Sequence, residues 1–183
     1  MNESVKTIMN RKSVRNYSPE AVKPEDLKAI AESAIWAPNA MNRQLWHITA
    51  VSCPELIAKM NEGCRQGMLN GPVPPLRERA QNPDFHAFFK APAVIVISVP
   101  NEKFAEFNAG AAAENICLTA AALGYGTCVT ASTGFMFAGD PDLTKDLDIP
   151  EGYEFICAIT LGKEADGPDD HVRDRNYDVI SYR

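Results

Sequence analysis

No run of 18 consecutive apolar residues occurs in this 183-residue chain, which excludes a simple membrane-spanning helix. The nearest approach, Phe104 to Leu123, is interrupted by Glu106, Asn108, Glu114 and Asn115 and reads as a buried helix. The opening Met-Asn-Glu-Ser-Val-Lys lacks the apolar stretch of a signal peptide, so a soluble, cytoplasmic protein is expected. Histidine is scarce: His47, His86 and His171 are dispersed, without metal-ligand spacing and with no Ser-His-Asp or Cys-His assembly to argue for a hydrolase. The five cysteines, at 53, 64, 117, 128 and 157, form no CxxC or CxxH pattern, and reduced thiols are expected. Basic surface is also lacking. A net charge of -6 and a pI near 5.1 argue against wholesale binding of nucleic acid, which needs a broad field of cations. There is no internal repeat and no low-complexity tract.

What is present suffices for one domain spanning 1–183, with 45% hydrophobic residues and a core that would bury roughly 70% of the unfolded surface. A short helix is expected over 3–10, with Val5, Ile8 and Met9 on one side. A second follows Pro24, where Leu27, Ile30, Ala31 and Ala34 recur at helical spacing, and Pro38 ends it. Trp46 to Cys53 alternates like a strand, with Trp46 in the core, and a helix follows over 55–66. Residues 67–92 are rich in Gly and Pro and form a long excursion with a short helix near 76–80, anchored by Phe85, Phe88 and Phe89. Strands are expected over 93–99, 126–131 and 154–161, helices over 103–123 and near 140–147, and a short β segment over 178–183. Helices and strands mix without strict βαβ repetition, which favours the α+β class over a doubly wound sheet.

Chemistry concentrates in two places. Arg11-Lys12-Ser13-Val14-Arg15 gathers three cations and a hydroxyl; Arg11 and Arg15 share a side, and Ser13 joins them only if the backbone is extended. The segment is either a solvated basic turn or a phosphate site, for which arginine's fork of donors is suited. In Ala37-Pro38-Asn39-Ala40-Met41-Asn42-Arg43-Gln44-Leu45-Trp46, the amides of Asn39, Asn42 and Gln44 can read the polar edge of a heterocycle or cap their own loop. Gly124-Tyr125-Gly126 follows a helix and enters a strand, the wrong order for a dinucleotide fingerprint, and is read as a helix stop. Ser132-Thr133-Gly134 is a ligand-facing turn or an ordinary one. Arg173 and Arg175 either close a phosphate site with Arg11 or are solvated tail charges. Any enzymatic reaction would fall to a bound cofactor.

These segments carry a resemblance over nearly the whole chain. Residues 11–17 resemble the R-x-S-x-R-x-[FY] signature of the flavin-dependent nitroreductase family, and residues 37–46 are similar to its A-P-S-x-x-N-x-Q-P-W motif. Residues 122–127 and Leu161-Gly162-Lys163 follow in the expected order. The resemblance implies an α+β, three-layer fold whose central mixed or antiparallel sheet is flanked by helices. It further implies a homodimer with FMN at the subunit interface, C-terminal segments embracing the partner and completing the sheet. By position, Arg11, Lys12 and Ser13 would form the phosphate segment with Arg173 and Arg175, and Arg15 would face the pyrimidine edge of the flavin. Pro38, Asn39 and Asn42 would come from the other subunit, Gln44 would line the site, and the Thr133-Gly134 turn would offer a backbone N–H to flavin N5. The implied reaction is ping-pong: NAD(P)H gives hydride and leaves, then a nitroaromatic, quinone or related acceptor takes it. Leu45 stands where the family has proline and Asn39 where it has serine, and the 67–92 excursion, matching no motif, would cover the site. Two other functions fit the residues: a flavin-binding or redox-sensing protein with little turnover, and a small acidic interaction domain.

Overall fold

A computed structural model describes residues 1–167 and 174–183. Four strands form one sheet in the order β1-β2-β4-β3: β1 His47–Val51, β2 Ala93–Pro100, β3 Gly126–Thr130 and β4 Tyr153–Gly162. Every pairing is antiparallel, which resolves the expected mixed-or-antiparallel sheet. The central strand β2 is buried on both faces, and its alternation sorts the core. Ala93, Ile95, Ile97 and Val99 pack with α2 (Pro24–Ser33) and α5 (Ala105–Ala122), while Val94 and Val96 pack with α3 (Pro54–Leu69), the 85–88 segment and later helices. Helices on both faces make three layers.

Local signals explain most boundaries. Proline occupies the first turn of α2, α3 and α4 (Pro74–Ala80), where its missing N–H costs nothing. A 3-10 turn over Ala34–Trp36 continues α2 until Ala37 becomes extended (ψ 144) ahead of Pro38. Gly124 adopts φ +81 beyond α5, and the Tyr125 N–H reaches back to the Ala120 carbonyl at 2.9 Å, so this glycine stops a helix as expected.

Two expectations need correcting. The helix near 140–147 is a single turn, α7 (Leu143–Asp146), which Pro141 separates from another single turn before it, α6 (Met136–Gly139). Residues 178–183 form no strand; the tail makes a turn in which the Ile180 N–H meets the Tyr177 carbonyl at 3.2 Å, and a strand needs an edge that this chain does not bring to it. α1 (Glu3–Asn10) forms where expected, yet buries no residue: Val5, Ile8 and Met9 are exposed at 36%, 55% and 66%. Among the described residues no helix is long and apolar enough to cross a membrane.

Candidate active site

Residues 11–17 run extended along the outer edge of β3. Ser13 bridges Thr127 in parallel, the Val14 N–H meets the Thr127 carbonyl at 2.8 Å, and Tyr17 bridges Glu164. Gly126 permits this approach, since a Cβ there would stand 2.6 Å from a Val14 methyl. Tyr17 pins the segment from below: its hydroxyl donates to the Val14 carbonyl at 2.7 Å and lies 2.7 Å from Thr160 Oγ1. Burial pushes that phenol well above its ordinary pKa, so it remains a neutral donor.

Extended geometry brings Arg11, Ser13 and Arg15 onto one side. Burial raises the pKa of Cys128, while the Arg15 charge and a hydrogen bond with Ser13 oppose that shift, so both side chains face this thiol. Arg11 Nε lies 3.2 Å from Glu114 Oε1 on α5, yet is buried without a hydrogen-bonding acceptor. An orphaned guanidinium N–H is costly unless a ligand oxygen meets it. Lys12, one residue out of phase, pairs with Glu164 at 3.0 Å. A groove of about 420 Å³ runs beside Arg11 and Lys12, between α1 and the start of β3.

The turn after β3 is a 3-10 helix over Ser132–Phe135. Thr133 is buried; its hydroxyl donates to the Thr130 carbonyl at 3.2 Å, and its own carbonyl accepts from Cys64 Sγ at 3.1 Å. The Gly134 N–H is committed to the Ala131 carbonyl at 3.0 Å, so of the Thr133-Gly134 pair it is the Thr133 N–H that lacks an acceptor inside the turn. Glycines of α3 let this turn sit close. A Cβ at Gly67 would stand 1.9 Å from the Phe135 carbonyl oxygen.

The amide loop lies elsewhere on the chain. Asn39 turns inward on its own backbone, its Oδ1 accepting from the Gln44 N–H at 2.8 Å and its Nδ2 donating to the Ala37 carbonyl at 3.3 Å. Met41, Asn42 and Gln44 adopt φ of 54°, 51° and 53°, a conformation that sequence pattern did not signal in the absence of glycine. Arg43 braces the loop against Glu102, and the Ala40 N–H meets Asn108 Oδ1 at 3.2 Å. Pro38, Asn42 and Gln44 are exposed. Asn108 and Glu114 lie six residues apart on α5, about 9 Å along its axis and on different faces, so one chain does not bring this loop to Arg11. Trp46 packs on the core as expected.

Arg175 lies in the exposed tail, and Arg173 falls outside the described residues. Sequence reasoning missed Arg79 of α4, whose guanidinium lies 5.9 Å from the Phe89 ring centre, with Arg15 at 6.0 Å from the same ring. The Phe85 and Phe89 anchors were its only signal. All five cysteines are free, and burial pushes Cys64 and Cys157 up to about 12 and Cys117 to about 11.

Comparison with known proteins adds the following. The profile of the Nitroreductase family matches residues 8–163. A solved nitroreductase with bound FMN from Bacteroides fragilis is 27% identical, with a TM-score of 0.92 and 100% of each chain covered. Another with bound FMN, from Desulfitobacterium hafniense, is 32% identical with a TM-score of 0.88, covering 100% of this chain and 99% of that one. A curated protein of Archaeoglobus fulgidus named "Putative NADH dehydrogenase/NAD(P)H nitroreductase" is 29% identical over 97% of this chain and 94% of its own length.

Proposed function

Because the chain belongs to the nitroreductase family, we propose that this enzyme, an NAD(P)H-dependent flavin oxidoreductase, binds FMN at Arg11, Ser13 and Arg15 and reduces small aromatic acceptors such as nitroaromatics or quinones. Bound FMN would supply the hydride chemistry, with NAD(P)H as the donor and the acceptor served in a separate half-reaction. The observation that carries this reading is the buried Nε of Arg11, which lies beside the Glu114 carboxylate without a hydrogen bond, on a segment that the Tyr17 and Gly126 contacts hold extended.

The chain's residues then divide the work. Arg11 and Ser13 hold the phosphate, with Lys12, Arg173 and Arg175 adding positive charge. Arg15 faces the pyrimidine edge, where a fixed cation favours the charge that two-electron reduction brings. The Thr133 N–H would be the donor available to the flavin's N5.

One chain of this shape is incomplete. The exposed loop residues Pro38 and Asn42, with Asn39 between them, reach the site of a second copy, and Gln44 lines it. α5 is rich in alanine, yet Phe107 is 73% exposed and a Cβ added at Gly110 would meet nothing within 4 Å. The tail, with Tyr177, Val179, Ile180 and Tyr182 exposed, embraces the partner and completes its sheet. Residues 1–183 thus act as one domain of a homodimer, and the free thiols fit the reducing cytoplasm. Purified protein should be yellow, and anaerobic NADH or NADPH should bleach it. Colour without bleaching would favour flavin binding without turnover, and colourless protein that takes up no FMN would refute the reading.

A further inference from the structure

The 67–92 excursion carries more than a cover. Between it and the 11–17 segment lies a pocket of about 350 Å³ lined by Arg15, Arg79, His86 and Lys90, with Phe89 between the two guanidinium groups. Among the described residues Asp84 is the one carboxylate in that lining. Other cations of this acidic chain are paired, Lys59 with Asp140 and Asp146, Arg65 with Glu62, and Lys163 with Glu20. Among the described residues Arg15, Arg79 and Lys90 make no ion pair. Three basic side chains line one cavity.

Backbone geometry holds them there. Phe89 and Lys90 both adopt left-handed conformations, φ 54° and 59°, which two consecutive non-glycine residues accept only under constraint. The constraint is the burial of Phe85, Ala87, Phe88 and Ala91 around them. Arg79 rests over Phe85 at 5.6 Å as well as over Phe89. A guanidinium stacked on a ring keeps its N–H edge available, and that edge fits the paired oxygens of a carboxylate or phosphate.

The pocket adjoins the redox site. Arg15 belongs to both. We propose that this pocket is a subsite for an oxyanion, carboxylate or phosphate, carried by the molecule that exchanges hydride at the neighbouring flavin site. The inference rests on the assignment of Arg15 to that site. Arg79 is its specificity-determining residue. The oxyanion has two possible carriers, an acidic aromatic acceptor and the extra phosphate that distinguishes NADPH from NADH.

The test compares Arg79→Gln and Arg79→Lys with the wild-type holoenzyme on paired probes: 4-nitrobenzoate against nitrobenzene, and NADPH against NADH. For Arg79→Gln the kcat/KM ratio of the more anionic over the less anionic member should fall roughly 10-fold or more in one pair, chiefly through KM, as loss of a charge-assisted hydrogen bond requires. Arg79→Lys should recover part of it. The pair that moves identifies the carrier. A second arm needs no turnover: inorganic sulfate should raise the Tm of flavin-free wild type more than that of Arg79→Gln. Equal losses in both members of each pair, or no change in either ratio, would overturn the subsite if the sulfate response is also unaltered. Absence of flavin or of reduction by either nucleotide would instead sink the oxidoreductase reading, leaving sulfate to decide whether the oxyanion site exists.

Discussion

Replacing Gly67 by alanine tests how the turn over Ser132–Phe135 is held. The added Cβ would stand 1.9 Å from the Phe135 carbonyl oxygen, 2.8 Å from its carbon and 3.2 Å from the Gly139 nitrogen, all of them backbone atoms that no rotamer change can move. Ordinary contact begins near 3.4 Å, so the turn must retreat by about 1.5 Å or α3 must shift by as much. Overpacking of this kind costs about 1–3 kcal/mol. For a chain of this length that lowers Tm by roughly 3–10 °C. The functional loss should be larger than the stability loss. The same turn carries Thr133, and a displacement of ~1 Å at a reacting centre can cost about 10²-fold in rate. Calorimetry of the FMN-loaded protein and anaerobic stopped-flow reduction by NAD(P)H measure both effects. A variant that keeps its wild-type Tm and reduction rate would refute the claim that glycine-mediated contact of α3 sets the position of this turn.

Stability should fall on the alkaline side: the thiols of Cys64, Cys117 and Cys157 ionise near 9 when unfolded but at about 12, 11 and 12 when buried. Their contribution is whole below pH 9 and is lost as pH rises toward 11–12, so urea midpoints should decline over that window, and a flat profile would contradict the burial. Gly110→Arg should convert a dimer to monomers in sedimentation, because its position is open within one chain but would be covered if α5 packs on a second copy. An unchanged sedimentation coefficient would place the interface elsewhere.

Much of the fold is written locally. Pro24 and Pro54 open helices, Gly124 closes one, and the β-branched run at 93–99 becomes the buried central strand, because each feature depends on a neighbour within a few residues. The extended course of residues 11–17 could be stated only conditionally, since it depends on Gly126 and Thr160, more than a hundred residues away. Left-handed Met41, Asn42 and Gln44 gave no glycine to announce them; Asn39 and Arg43 hold them through side-chain bonds. Arg79 was invisible as a site residue because its link to Arg15 runs through the Phe89 ring, and alternation or spacing cannot report such a relation. The 178–183 segment has strand-forming residues, but pairing depends on an available edge, which composition does not encode.

The most direct measurement is calorimetric titration of flavin-free protein with FMN and with riboflavin, which differs by lacking the phosphate, for wild type and Arg11→Ala. If the orphaned Arg11 Nε awaits a phosphate oxygen, wild type should prefer FMN by roughly 100-fold or more, and Arg11→Ala should lose at least ~10-fold of that preference. Equal affinity of wild type for the two flavins, or a preference untouched by Arg11→Ala, would contradict the phosphate site on which the account stands.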